Sequence, residues 1–515
     1  MSEREGRETL LDVPASPAPG RAPDARGSAR FRTIDRCQMQ FRTVDVDRLV
    51  EPDHVVRAIW ELSGKLDWSP YAECVKAVEG GAGRPAWDPR LLACIWVYAY
   101  ARGIGSARAV ARQMEFDPAF QWLAGLETVN YHTLADFRTR RRDVEDLFVQ
   151  LLGVLSAEGL VALQRITHDG TKIRACASSG SFHREARIRE HLAAARAQVE
   201  AMGDPLVDEP RERAARRAAA MQRARRLESA AEMLSGLRAG ASAGQPAPRV
   251  SETDPDARIM KQGDGGYAPS YNVQLSEDAQ HGLVVGVGVS QSCNDYGELV
   301  PAVGRVEAAT GRTPGEVVAD GGFTTRENVL AMEQKGVAFF GSLPDHGGQA
   351  DGQLRRNGIA EAFYPQAFTY DASADVYRCP AGQVLAPDGR EYRQGVKRHS
   401  YRASREHCLA CPHRAQCCPR NASRGRRITR MVEDPRVAAF REKMHSEQAR
   451  RIYRTRSALA EFPNAWIKSK IGLRQFHVRG LLKATAEAFW AALTYNVQQW
   501  IRLSWRPARM ASAAA

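Results

Sequence analysis

Through the first third of the chain, apolar residues return every three or four positions, the period of a helix with one buried face. VVRAIWELSGKL (Val55 to Leu66) has this spacing. Pro89 opens a second such run, DPRLLACIWVYAYARG, which Asp88 caps and Gly103 stops. SARAVARQMEFDPAFQWLAG (Ser106 to Gly125) predicts a pair of short helices meeting at Asp117-Pro118. HTLADFRTRRRDVEDLFVQLLGVLSAEG continues the pattern, with Thr133 as a cap. From Gln164 the pattern becomes that of a strand. In THDGTKIRA (Thr167 to Ala175), Thr171, Ile173 and Ala175 alternate with Lys172 and Arg174, as in a half-buried strand. That strand carries an acid, Asp169, followed by Gly170. Asp-Gly is also a common hairpin signal, so a turn or strand end is the competing reading.

After Ser181 the helical pattern returns. Phe182 to Leu237 is laced with Arg, Glu and Ala and broken near Gly203-Asp204-Pro205, which predicts a helical hairpin or coiled-coil insertion with a solvated surface. AGASAGQPAPR (Ala239 to Arg249) reads as a linker. Strand signals resume in YNVQLS and GLVVGVGVS, with EDAQH as the hairpin between them. A helix from Asp295 to Gly311 follows, then the strand GEVVADGGF ending in Asp320. A helix capped by Thr325 and the buried strand VAFFGSLP come next. Strand, hairpin, helix, strand, helix, strand is an α/β order and fits a ribonuclease-H-like core.

The chain has 515 residues, 43% of them apolar and 26% charged, an ordinary globular composition with room for about three domains. Its formal net charge of +13 and pI of about 9.4 point to a polyanionic partner, nucleic acid above all; an Arg-rich coding bias would raise the pI without any function. Helices around Arg138, Arg140 and Arg142 fit either a helix-turn-helix-like DNA-binding unit or a plain bundle with a solvated basic face. No apolar run is of membrane-spanning length, and the longest, LLACIWVYAY, fits a core helix. The first residues have the Pro, Ala, Gly and charge content of a disordered lead and no apolar signal core, so the expected location is the cytoplasm. In that compartment the ten cysteines are not expected to form disulfides.

Asp169 and Asp320 share a context, since each follows an apolar strand and precedes a glycine. Active groups in open α/β sheets gather at the carboxyl ends of strands. Two neighbouring carboxylates there can hold divalent metal for phosphodiester chemistry, which usually needs a third acid. Glu461 is the candidate, on a helical run from Tyr453 that reaches Lys468, with Pro463 as a point of kinking or restart. Lys468, Lys470 and Arg474 would then face DNA phosphates. Gly170 is expected to leave room for substrate to approach the backbone.

HDGTKIRACAS, VVADGGFTTRENV and the spaced set Tyr453, Arg456, Glu461 and Lys468 occur in that order. Together they resemble the DDE transposases of bacterial insertion sequences, in the branch with DGT and ADGGF or ADAGY motifs. DPDARIMKQGDGGYAPSYNVQ, the amino-terminal helical stretches and the ending RGLLKATAEAFWAALTYNVQQW, which contains Asn496, also resemble that branch, so the likeness runs over residues 35 to 503. It implies that Asp169, Asp320 and Glu461 hold two Mg²⁺ or Mn²⁺ ions. Tyr453, Arg456 and Lys468 would contact DNA. The implied reaction is metal-dependent cleavage at transposon ends, followed by strand transfer into target DNA. The implied partner is double-stranded DNA, both terminal inverted repeats and target, bound by a dimer or larger assembly at the nucleoid. Two departures stand out: related sequences often have an aromatic near Asn464, and Phe323 stands where many have tyrosine. The competing functions are a ribonuclease-H-like nuclease without strand transfer and a catalytically silent DNA-binding remnant. The presence of all three acids argues against the remnant.

Cys379, Cys408, Cys411 and Cys417 fall between the second and third acids. CLAC is a C-x-x-C pair, and thiolates so spaced favour tetrahedral zinc. A structural zinc is favoured over free thiols, with Cys417, Cys418 or His413 as the fourth ligand. The expected organisation is a lead at 1–34 and an all-α DNA-binding domain at 35–160. A ribonuclease-H-like catalytic domain at 161–503 and a tail at 504–515 complete it. The catalytic domain would carry a helical insertion at 182–249 and a Cys-rich insertion at 370–425.

Overall fold

The computed structural model describes residues 36–506 except 38, 40, 42, 74, 76, 78–84, 204–209, 241–243, 245, 344–351, 394–395 and 421–423. The predicted lead, Cys74, the Asp204-Pro205 break and most of the predicted tail lie outside the described residues. Contacts divide the chain after Asp45, and every element below belongs to the unit that starts at Val46.

The amino-terminal part is helical, as its periodicity predicts. Asp88 accepts from the Arg90 N–H at 2.8 Å with Pro89 in the first turn, and the helix Pro89–Ala101 ends before Gly103, whose φ is 72°. Residues Leu92 to Tyr100 of this helix are buried without interruption, so it runs through the middle of the helical layer. Asp117 caps Pro118–Ala124 in the same way as Asp88. Two details differ from the sequence expectation. Asn130, not Thr133, caps the next helix by accepting from His132 N–H, and that helix stops at Arg138 before Arg141–Ala157 begins. Thr133 already lies inside the first turn, where a capping oxygen has no free amide to reach.

The central sheet is built from β1 (Arg165–Arg174), β4 (Arg258–Lys261), β5 (Tyr267–Asp278), β6 (Val284–Ser290), β7 (Glu316–Ala319) and β8 (Ala338–Phe340). Between β1 and β4 the short β2 (Phe182–His183) and β3 (Val250–Ser251) pair with each other. β1 lies between β5, antiparallel, and β7, parallel; β8 is parallel outside β7, while β6 and β4 line the other edge of β5. The glycines of GLVVGVGVS are explained by packing. A Cβ on Gly286 would lie 2.9 Å from Val306, and one on Gly288 would lie 2.5 Å from the Arg305 guanidinium, so the helix Leu299–Thr310 sits directly on the strand.

The opposite face is covered by Glu447–Arg454, Arg456–Ser469 and the long helix Leu481–Leu503. Asn496 in that last helix acts as a strand substitute. Its Oδ1 accepts from Val284 N–H at 2.8 Å and its Nδ2 donates to Val284 O at 2.7 Å. Asp254 and Asp256 accept from the Gly480 and Leu481 amides at the same helix's start. Among the described residues, no helix is long and apolar enough to cross a membrane.

The predicted helical insertion is a pair of packed helices, Glu185–Ala201 and Arg211–Ala239, which share Ile188, Ala195, Leu227 and Leu234. The cysteine-bearing segment is more than a knuckle. It holds an antiparallel sheet of β9 (Thr369–Asp371), β10 (Val376–Arg378), β11 (Val384–Arg393), β12 (Val396–Ala403) and β13 (Arg427–Val432). Strands with Arg and Tyr in place of aliphatic alternation gave no strand signal in the sequence.

Candidate active site

Register brings the first two acids together. His168 of β1 pairs in parallel with Ala319 of β7, so the next residues, Asp169 and Asp320, come level on neighbouring strands about 4.8 Å apart. Asp169 lies inside β1, paired with Leu275, and is not a strand end or turn. Asp320 follows β7 directly, and its Oδ1 accepts from the Gly322 amide at 2.7 Å. Burial holds the Asp169 carboxyl up to about 6; the Asp320 charge adds to the rise, while the Gly170 amide, Arg456 and Asn464 oppose it.

The covering helices bring a basic and polar set to these acids. Asn464 Nδ2 donates to Asp169 Oδ2 at 3.0 Å, and its own Oδ1 is buried without a hydrogen-bond partner. The Lys468 amine lies close enough for Asp169 to favour its charged form, although burial lowers its pKa overall. Tyr453 feels both Arg456 and Asp320, and the Arg456 guanidinium lies 6.0 Å from the Tyr453 ring centre. Asp169, Asp320, Tyr453, Arg456, Asn464 and Lys468 thus form one neighbourhood.

Glu461 is not drawn into it. This residue is exposed and accepts from Ser457 Oγ at 2.8 Å. Asp169, Asp320 and Glu461 are not a set whose oxygens all lie within 4.8 Å of one another; the described residues offer a single such set of potential metal ligands, and it is elsewhere. The helix also breaks at Thr455 and not at Pro463, so Tyr453 lies on a different helix from Arg456 and Glu461. Pro463 lies inside the helix Arg456–Ser469, which continues past it with one backbone hydrogen bond fewer.

Residues the sequence reading passed over surround the pair. Glu277 is fully buried on the Asp169 face, accepts from Thr167 Oγ1 at 3.0 Å, and is held well above the usual carboxylate range by burial. Its signal was an acid at an inward position of β5, in line with Tyr271, Val273 and Leu275. On the other face, Asp295 accepts from Asn272 Nδ2 at 2.7 Å, Gln274 Nε2 at 2.8 Å and Lys172 Nζ at 3.3 Å. A Cβ on Gly170 would meet Gln274 Nε2 at 2.6 Å and Asp295 Oδ1 at 2.7 Å. Gly170 therefore makes room for this protein network, which corrects the expectation that it makes room for substrate. His168 is a core histidine. Its ring nitrogens bond Ser276 and Gln274, and burial lowers its pKa to about 3, so it stays neutral.

The basic residues divide. Lys470 and Arg474 are exposed beyond the Lys468 turn, and Arg140 is exposed with Asp143 at 3.8 Å. Arg138 is buried, which corrects its reading as a DNA contact. It donates to Gly105 O, lies 3.7 Å from Glu487 and stacks 4.6 Å from the Trp96 ring centre. Cys379, Cys408, Cys411, Cys417 and Cys418 line one small cavity, with Cys417 and Cys418 sulfurs 3.8 Å apart. No three of these sulfurs lie within 4.8 Å of one another, and His413 packs on Phe363.

Two family models match the chain. One, described as a transposase DDE domain, covers residues 378–501, and the other, described as a transposase domain (DUF772), covers residues 44–140. The chain carries two transposase signatures. Their combination is typical of DDE transposases of bacterial insertion sequences. Asp169 and Asp320 lie between the matched stretches, and Glu461 lies inside the second. No curated protein matches it. Among solved structures, a cryo-EM structure of a piggyBac transposase synaptic complex with hairpin DNA aligns over 89% of this chain and 83% of its own, at 8% identity and a TM-score of 0.23. That likeness is too slight to carry an argument.

Proposed function

We propose that this chain is a transposase that cleaves DNA at transposon ends with divalent metal and joins the freed ends to target DNA. The observation that carries the reading is the level placement of Asp169 and Asp320 on adjacent parallel strands, beneath a helix that belongs to the transposase DDE match. The sheet order, with β6, β5 and β1 antiparallel and then β7 and β8 parallel to β1, supports a ribonuclease-H-like core.

The residues fit a divalent cation. Two adjacent carboxyl groups, one raised by burial and further by the other's charge, gain from a cation between them. Asp169 and Asp320 would hold Mg²⁺ or Mn²⁺, with Glu461 as the third acid. Bound there, such ions supply an activated attacking oxygen and stabilise the leaving one. Arg456 and Lys468 would neutralise the scissile phosphate, Tyr453 would orient it, and Lys470, Arg474 and Arg140 would grip flanking phosphates. Glu461 precedes Asn464 by three residues, so bringing it to Asp169 requires the helix to turn by about 60° and slide by about 4.5 Å. A cleft of about 650 Å³ gathers Arg225, Arg226, Arg479 and Lys483 beside Asp136, Asp254 and Asp256, and its basic side would meet further phosphates. The five cysteines around one cavity beside the second sheet would hold a structural zinc once their sulfurs draw together from their present spacing.

The experiment is incubation of the protein with labelled DNA carrying the element's terminal repeats, with Mg²⁺ or Mn²⁺ and a target plasmid. Nicked ends followed by joined products are expected. Nicking with no joined product would make the protein a nuclease, and binding without either would make it a DNA-binding remnant.

A further inference from the structure

The helical insertion hangs from a very thin joint. The chain enters it through β2 and leaves through β3, which pair over only two positions, Phe182 with Ser251 and His183 with Val250. A two-stranded ribbon this short is not stable by itself. Around the joint, residues from three elements converge: His183 at the end of β2, His191 in the second turn of the helix Glu185–Ala201, and Glu252 just after β3. Glu252 Oε2 lies 2.6 Å from His191 Nδ1, and its Oε1 lies 4.0 Å from His183 Nε2. The two imidazole rings are 5.5 Å apart, and one donor atom from each of the three residues lies within 4.8 Å of the others.

We propose that His183, His191 and Glu252 bind a divalent transition metal of the zinc type, which staples the insertion to the core. Tetrahedral zinc, about 2.0–2.2 Å from each donor, needs donor pairs about 3.3–3.6 Å apart. The observed separations bracket that range, so rotations of the three side chains suffice. The donor set selects the ion. Two imidazoles and one carboxylate suit zinc and its neighbours, whereas magnesium and calcium require more oxygens. Arg226 stands near Glu252, and its charge opposes zinc as much as any other divalent ion, so the selection rests on the donor set alone. All three side chains are 22–31% exposed, so an ion can enter and a water can complete its shell. Arg226 also lines the basic cleft with Arg225 and Arg479, so the staple would fix the position of that cleft's arginines. The site shares no residue with the acids or the cysteines.

The test is zinc stoichiometry of the full-length protein, measured by elemental analysis after chelator treatment, reloading with ZnCl₂ and gel filtration. A His183→Asn/His191→Asn double variant is compared with wild type, each also in a Cys408→Ser/Cys411→Ser background. The histidine variant is expected to hold one zinc fewer in both backgrounds. Cobalt loaded into the Cys408→Ser/Cys411→Ser protein with both histidines intact should show no thiolate charge-transfer band. Glu252→Gln, which keeps a hydrogen-bond acceptor for His191, is measured in parallel, should weaken zinc binding at least tenfold, and carries the test where the histidine variant fails to fold. Unchanged stoichiometry in the folded histidine variant, or unchanged affinity in Glu252→Gln, overturns the proposal.

Discussion

At the scale of single residues, the candidate site is set by which face of β1 a side chain occupies. Asp169 points to the covering helices, whereas Gly170 points to the Asp295 network. Because the Asp169 pKa is raised above its unfolded value near 3.9, its contribution to stability is fully present below about pH 4 and is lost as pH rises through about 6. The loss amounts to about 2–3 kcal/mol. Asp169→Asn should therefore be more stable than wild type at pH 8 in EDTA, by up to that amount, and equal to it at pH 4. Urea unfolding at the two pH values checks this, and equal stability at pH 8 would contradict it. Gly170→Ala should cost about 1–3 kcal/mol by overpacking against Gln274 and Asp295, read by the same method. Asp169 and Asp320 were legible because an acid ending or interrupting an apolar strand breaks the expected pattern. Asp295 was not, since an ordinary polar residue in a loop carries no such contrast, and Asn464 stood out only as a departure from related sequences, not as the partner of Asp169.

At the scale of elements, caps and periods in the sequence marked most helices and five of the six central strands, with ends that moved by a few residues; β4 gave no strand signal. Asp88 and Thr325 cap their helices as expected, and Asp117 caps the second of the two helices expected to meet at Asp117-Pro118. The break at Thr455 was hidden by Pro463, the louder signal, and the second sheet was hidden by its polar strands. Asn496 shows a role that motif spacing alone does not reveal. It closes the edge of β6 through both backbone groups of Val284, in a fully buried position. Asn496→Ala leaves a buried N–H and C=O unpaired, and should destabilise the protein by about 2–4 kcal/mol. Chemical denaturation measures it, and a loss below about 0.5 kcal/mol would show that the helix does not depend on this clamp.

At the scale of the whole molecule, the helical layer is joined to the sheet through a buried polar hub that no sequence pattern announced. Glu487 of the last helix accepts from His477 N–H at 2.9 Å and from Tyr100 OH at 3.2 Å, and faces Arg138. Breaking a buried charge pair of this kind typically costs about 3–5 kcal/mol. Arg138→Met should lower the melting temperature sharply, whereas Arg140→Ala should leave it unchanged and reduce the salt dependence of DNA binding by about one phosphate contact. Fluorescence anisotropy across a salt series reads that slope. The central claim is that Asp169 and Asp320, with Glu461 brought in by its helix, form one metal-dependent catalytic site. Its most direct test is single-turnover nicking of terminal-repeat DNA in Mn²⁺ by wild type, Asp169→Asn, Asp320→Asn and Glu461→Gln, with end binding measured alongside. All three variants should bind the DNA and none should nick it. Nicking at the wild-type rate by Asp169→Asn or Asp320→Asn would contradict the account, and wild-type nicking by Glu461→Gln would remove the third acid from the site.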